Sequence, residues 1–186
     1  MMTSFFKNHF LVAMPTLIDS FFYHSVIYLC EHDENGAMGI IVNRPTRIKL
    51  TELLGHLHID NNNDWVQSRT VLFGGPVKKD QGMVLHDGGA HWKSTMAVAD
   101  NLFLTTSSDI LPVLGSSQGP QNALVTLGYA GWGEGQLEEE LAENSWLTVP
   151  ASHGLLFDTP AEQRWEASAR LLGIDIHLMS NSTGHA

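Results

Sequence analysis

The sequence predicts an α+β fold built on a largely antiparallel sheet. Two observations carry this. Apolar runs of strand length, joined by short punctuated turns, dominate the first two-thirds of the chain, and the helical patterns are few and interspersed rather than alternating with strands. The chain has 186 residues, 43% apolar and 16% charged, which suits one ordered domain with a full core. Residues 1–8 and 180–186 are expected to be loosely ordered ends.

In chain order, Phe10–Met14 is a short apolar run stopped by Pro15, a first strand. Asp19–His24 has room for one helical turn, with Phe21 and Phe22 turned inward. Val26–Cys30 is continuous, apolar and rich in β-branched and aromatic residues, as a strand buried on both faces would be. Asp33-Glu-Asn-Gly36 then separates strands 26–32 and 37–43 as an antiparallel hairpin. Leu50, Leu53, Leu54 and Leu57 recur at helical spacing up to Ile59. Asp60–Asp64 is a polar loop. Val71–Phe73 and Met83–His86 are strands around the turn Gly74-Gly-Pro76. A loop at Asp87–Ala90 and a strand at Leu102–Thr105 follow.

Thr106 and Asp109 have the spacing of a capping box opening a short helix towards Leu114, with Pro112 inside it. Gly115–Asn122 is loop, and Ala123–Leu127 a strand. The glycine-rich Gly128–Gly135 reads as a tight turn with Trp132 packed inward. Gln136–Glu143 is a helix that Asn144 closes in a left-handed conformation. Trp146–Val149 and Leu155–Phe157 are short strands. Thr159-Pro-Ala-Glu162 opens a last helix with Thr159 as cap. Trp165, Ala169 and Leu172 form its buried face, Glu166 and Arg170 pair across one turn, and Gly173 ends it.

Formal net charge is −10, from 20 acidic and 10 basic side chains. That balance disfavours direct binding to nucleic acid or an anionic membrane, because phosphate affinity comes largely from Lys and Arg. The charges are unevenly spread. No Lys or Arg occurs from Ser94 to Gln163, which holds nine acids, whereas seven basic residues face five acids between Arg44 and Lys93. Cys30 is the only cysteine, so neither an intramolecular disulfide nor a cysteine metal cluster is expected. No run has the apolar length of a membrane span, and the start lacks a cationic leader. A bacterial-type cytosolic setting is the expectation.

Several chemistries fail on spacing. Gly131-x-Gly133 would need a third glycine where Gln136 stands, and Glu138-Glu-Glu140 in the following helix would repel a pyrophosphate. Cys30 and His32 share a strand face, but nothing cationic accompanies them, which favours a buried structural thiol. His56-x-His58 and His86-Asp87…His91 match no metal-site spacing. No catalytic residues, metal site or cofactor are therefore assigned.

Two turns remain. Asn43-Arg44-Pro45 puts a guanidinium just past a strand end, and Gly74-Gly75 lets backbone amides approach an anion, with Lys78 and Lys79 close behind. One reading makes Asn43, Arg44, Gly74, Gly75 and Lys78 an anion or metabolite site. The plainer reading is that Gly and Pro make two turns and the basic side chains are solvated.

Eight segments taken together resemble the YqgE/AlgH family of bacterial proteins. They are His9-Phe-Leu-Val-Ala-Met-Pro15, Ser25–His32, Gly36-Ala-Met-Gly-Ile-Ile-Val-Asn-Arg-Pro45, Leu72-Phe-Gly-Gly-Pro-Val77, Leu104–Ser107, Leu127-Gly-Tyr-Ala-Gly-Trp-Gly133, Trp146-Leu-Thr-Val-Pro150, and Phe157-Asp-Thr-Pro160 with Arg164-Trp165. The likeness runs from about His9 to Asp175, with Asp100-Asn101 where the family often has Asp-Gly and an atypical loop at 151–154. The resemblance implies a mixed, barrel-like sheet with flanking helices, and no catalytic residues. One branch is named as a transcriptional regulator of exopolysaccharide (alginate) synthesis. No helix-turn-helix with a basic recognition helix is present, so regulation would act through another protein. The expectation is a non-enzymatic regulatory or adaptor domain, with the anion-binding domain as the alternative.

Overall fold

The computed structural model describes residues 5–18 and 21–181. In chain order the elements are β1 (His9–Ala13), β2 (Val26–Asp33), β3 (Gly36–Ile41), β4 (Pro45–Lys49), α1 (Leu50–His56), α2 (Asp64–Gln67), β5 (Thr70–Phe73), β6 (Val77–His86), β7 (Thr95–Ala99), β8 (Leu102–Thr105), β9 (Ala123–Trp132), α3 (Gln136–Ala142), β10 (Trp146–Pro150), α4 (His153–Phe157), α5 (Arg164–Arg170) and α6 (Ile176–Asn181), with 3₁₀ turns at Ser108–Val113 and Ala161–Gln163. The fold is α+β, and the sheet is antiparallel except for β5 against β9. Among the described residues no helix is long and apolar enough to cross a membrane.

The chain divides into two compact units, 1–43 with 130–186 and 44–129. In the first, the order is β10-β1-β2-β3-β9, the last contributing 130–132. Val26 to Cys30 are all fully buried, as a strand covered on both faces requires. The β2–β3 hairpin turns through Glu34 and Asn35, where the Asn35 amide donates to Asp33 Oδ1 at 2.8 Å. Glu140 in α3 accepts from both Trp132 Nε1 (2.9 Å) and Trp146 Nε1 (2.8 Å), so two buried indoles share one carboxylate oxygen. Phe6 and Asn8, ahead of β1, are held by hydrogen bonds to His32 Nδ1 and from the Tyr28 hydroxyl.

In the second unit, β9 (123–129) pairs with β6, then β8 and β7 follow, while β5 joins β9 in parallel and β4 flanks β5. Leu50 and Leu54 of α1 pack with Val66, Val71, Val84, Ile110, Leu114 and Val125 in one core.

Several expectations need correction. The glycine-rich stretch is not a turn from Gly128: β9 continues through Trp132, and the turn is confined to Glu134 and Gly135. Gly128 instead answers a close approach, since it sits at φ +77 and a Cβ there would lie 2.3 Å from the Gly75 carbonyl oxygen. Trp132 is buried as expected. Leu155–Phe157 is the end of helix α4, capped by Ser152 Oγ accepting from the Leu155 amide, because a three-residue apolar run carries no period of its own.

Leu172 is exposed, since α5 ends at Arg170 and the face carrying Trp165 and Ala169 ends with it. Gly173, at φ +73, does terminate that helix: its amide bonds the Arg170 carbonyl and that of Ile174 bonds Ala169. Glu166 and Arg170 pair at 3.2 Å. Thr159 caps nothing and bonds the Gly154 carbonyl. The segment after Thr106 is a 3₁₀ turn flanked by Ser107, not a box on Thr106. Strands β4 and β7 and helices α2 and α6 add to the elements that local pattern predicts. Phe21 is exposed and the 21–24 segment is a turn, while residues 19–20 and 182–186 of the expected helical turn and tail lie outside the described residues. Asn101 adopts φ +50, the region where glycine would otherwise be favoured.

Candidate functional site

The site residues read from the two turns are largely committed to the fold. Asn43, in the first unit, accepts from the Val26 amide at 2.9 Å and donates to the His24 carbonyl at 2.8 Å. Its side chain replaces ladder bonds where β3 has ended. The other four lie in the second unit. The Arg44 carbonyl accepts from the Phe73 amide at 2.8 Å, and the half-buried Arg44 guanidinium has its pKa lowered by burial. The Gly74 amide donates to the Leu127 carbonyl at 2.7 Å, the parallel ladder extended by one residue, so it is not directed at a ligand. Gly75 is buried, and Lys78 is exposed at φ +47.

The reactive groups are similarly engaged. Cys30 is fully buried, and burial pushes its thiol pKa up. His32 Nδ1 accepts from the Phe6 amide at 2.9 Å, which leaves the proton on Nε2, donated to Glu138 Oε1 at 2.6 Å. Partial burial is the largest influence on Glu138 and opposes its ionisation, but the bond from His32, a backbone amide bond and the attraction of His32 together outweigh it and hold the carboxyl below its usual range.

In the second unit the fully buried His86 donates from Nδ1 to the Asp87 carbonyl at 2.7 Å, because that oxygen can only accept. Its Nε2 therefore accepts from the Thr105 hydroxyl at 2.7 Å, and Thr105 accepts in turn from Thr95 at 2.8 Å. Both ring nitrogens are spent. No group of three potential metal ligands occurs among the described residues.

Burial lowers the His86 pKa, with His91 adding to it and Asp87 opposing. The native state thus prefers neutral imidazole and the unfolded state binds the proton more readily. Stability from this group is complete above the usual histidine value of about 6.5 and is lost as pH falls below it. Below about pH 6.5 the melting temperature of the wild type is expected to fall more steeply than that of His86→Gln; parallel curves would contradict this.

What the fold assembles is an acidic face on the first unit. The His32–Glu138 bond joins residues 106 apart in sequence and brings the tip of the β2–β3 hairpin against α3. Glu31, Asp33 and Glu34 at that tip, and Glu134, Glu139 and Glu143 around α3, are all exposed. By sequence this unit holds 13 acids and three basic residues, of which Arg164 is buried, whereas the second unit holds seven of each. The entire formal charge of −10 therefore belongs to the first unit. Charge counting along the chain found the acids of 134–143 but not the hairpin acids beside them, because only strand pairing joins the two.

Comparison with known proteins agrees with the segment likeness. The family model described as AlgH-like matches residues 10–177. A UPF0301 protein of Shewanella woodyi is 50% identical over 182 residues, covering 97% of this chain and 98% of its own. One of Stenotrophomonas maltophilia is 50% identical over 178 residues, covering 96% and 95%. The solution structure of the AlgH protein from Pseudomonas aeruginosa is 43% identical, with a TM-score of 0.79 over the whole of both chains. A crystal structure of a protein from Corynebacterium diphtheriae, 18% identical over 97% of this chain and 94% of that one, shares the fold with a TM-score of 0.71.

Proposed function

The chain belongs to the AlgH-like family, and from that premise we propose that it is a non-enzymatic regulatory or adaptor domain whose acidic face engages a basic surface on another protein. The observation that carries this reading is the confinement of the net charge to one unit, focused where the hairpin tip meets α3. A one-signed face steers a complementary partner and repels like-charged ones. The same field repels phosphate backbones, which favours regulation through a protein over direct contact with nucleic acid. The burial of Cys30 and the engagement of His32 and His86 in structural bonds support binding over catalysis.

The test is capture from native lysate at low salt with the wild type and with a variant carrying Gln at Glu31, Glu34, Glu134, Glu139 and Glu143. A stoichiometric partner of net positive charge is expected with the wild type and lost with the variant. Lys78→Gln with Lys79→Gln, in the second unit, should retain it. Equal recovery by the neutralised variant, or no partner with the wild type, would overturn the reading.

A further inference from the structure

Gly82 stands in the interior of β6, where glycine is a poor strand residue. Nothing around it demands glycine: its φ is not in the left-handed region, and a Cβ there would meet no atom within 4 Å. This is the opposite of Gly128, which a neighbouring carbonyl forbids from carrying a side chain. Gly82 lines a cavity of about 190 Å³ within the second unit. Leu53, Met83, Leu111 and Val125 give it an apolar lining, and the exposed Leu57 lies at its edge. A cavity of about 150 Å³ with such walls holds benzene, whereas sites for larger ligands begin at about 300 Å³. The space is large enough for one ring.

Its polar side is equally specific. The lining residues include one ionisable group, the carboxylate of exposed Asp80, and no cation. Thr105 is committed to His86, and Ser107 donates to Asp109, but the exposed Thr106 and Ser108 add hydroxyls. We propose that this cavity is a binding site for a small molecule with a single apolar ring and an ammonium head, the ring filling the space beside Gly82 and the ammonium meeting Asp80. The site lies wholly in the second unit and is independent of the acidic face.

The test titrates the full-length chain with benzylamine, benzyl alcohol and phenylacetate, followed by amide chemical shifts. Benzylamine is expected to give saturable shifts at Leu53, Met83 and Val125, with phenylacetate roughly tenfold weaker or more, a difference of about 1.4 kcal/mol per decade. Asp80→Asn should bring benzylamine down to benzyl alcohol. Gly82→Phe should weaken benzylamine roughly tenfold or more while leaving the melting temperature unchanged or raised, since a strand gains by losing glycine. Leu57→Trp, at an exposed position, should weaken it independently. No saturable shift with benzylamine, phenylacetate binding as tightly, or full affinity in both filled variants would overturn the proposal.

Discussion

Arg164→Met is expected to lower unfolding free energy by about 2–5 kcal/mol. The side chain is 6% exposed at the start of α5. Its Nε donates to the Leu155 carbonyl at 3.1 Å, and Nη1 donates to the Val42 carbonyl. One guanidinium thus ties the middle of α4 to the backbone just beyond β3. Methionine keeps much of the apolar stem but leaves both carbonyls buried without a donor, at about 1–3 kcal/mol each. Urea denaturation measures the loss, and the exposed Arg170→Met serves as control, because a surface ion pair contributes little. A loss below about 1 kcal/mol would show that the buried guanidinium is not the tie described.

Gly36→Ala should cost a comparable amount for a different reason. Gly36 leaves the hairpin turn at φ +138, a region that side chains rarely adopt, and a Cβ would sit 2.2 Å from the Trp132 carbonyl oxygen. That oxygen is backbone of β9, held through the Ala37–Trp132 register, and cannot rotate away. Strain of about 1–3 kcal/mol adds to overpacking of about 1–3 kcal/mol. The expected result is a drop of about 2–6 kcal/mol in the same assay, with the tryptophan emission of the native state shifted as Trp132 moves. By contrast Gly133→Ala, where a Cβ meets nothing within 4 Å, should change stability little.

Much of the fold is legible where local chemistry and tertiary position agree. The Asp33–Gly36 turn between two apolar runs gave its hairpin, the leucine period gave α1, and Gly173 marked the end of α5. Legibility failed where the tertiary partner decides. Pro45–Lys49 is mostly exposed and has no alternation, yet it is a strand because it pairs with β5 and Thr46 Oγ1 bonds the Val71 carbonyl at 2.6 Å. Gly128 looked like a turn residue and is a packing residue, a distinction only the approach of Gly75 reveals. The acidic face needed the β2–β3 hairpin and α3 to meet, as His32 and Glu138 do, and nothing local in the sequence says so. Gly82 is the reverse case: a Cβ there would meet no atom within 4 Å, which no local pattern in the sequence reveals.

The central claim, that the acidic face of the first unit is the recognition surface, is tested most directly by the salt dependence of the dissociation constant for the captured partner. For the wild type, affinity is expected to fall steeply as salt rises from low to physiological ionic strength, where the screening length shortens to about 8 Å. For the variant neutralised at Glu31, Glu34, Glu134, Glu139 and Glu143, binding should be weaker at low salt and the dependence nearly flat. A wild-type affinity indifferent to salt, or a neutralised variant with the wild-type slope, would contradict the claim.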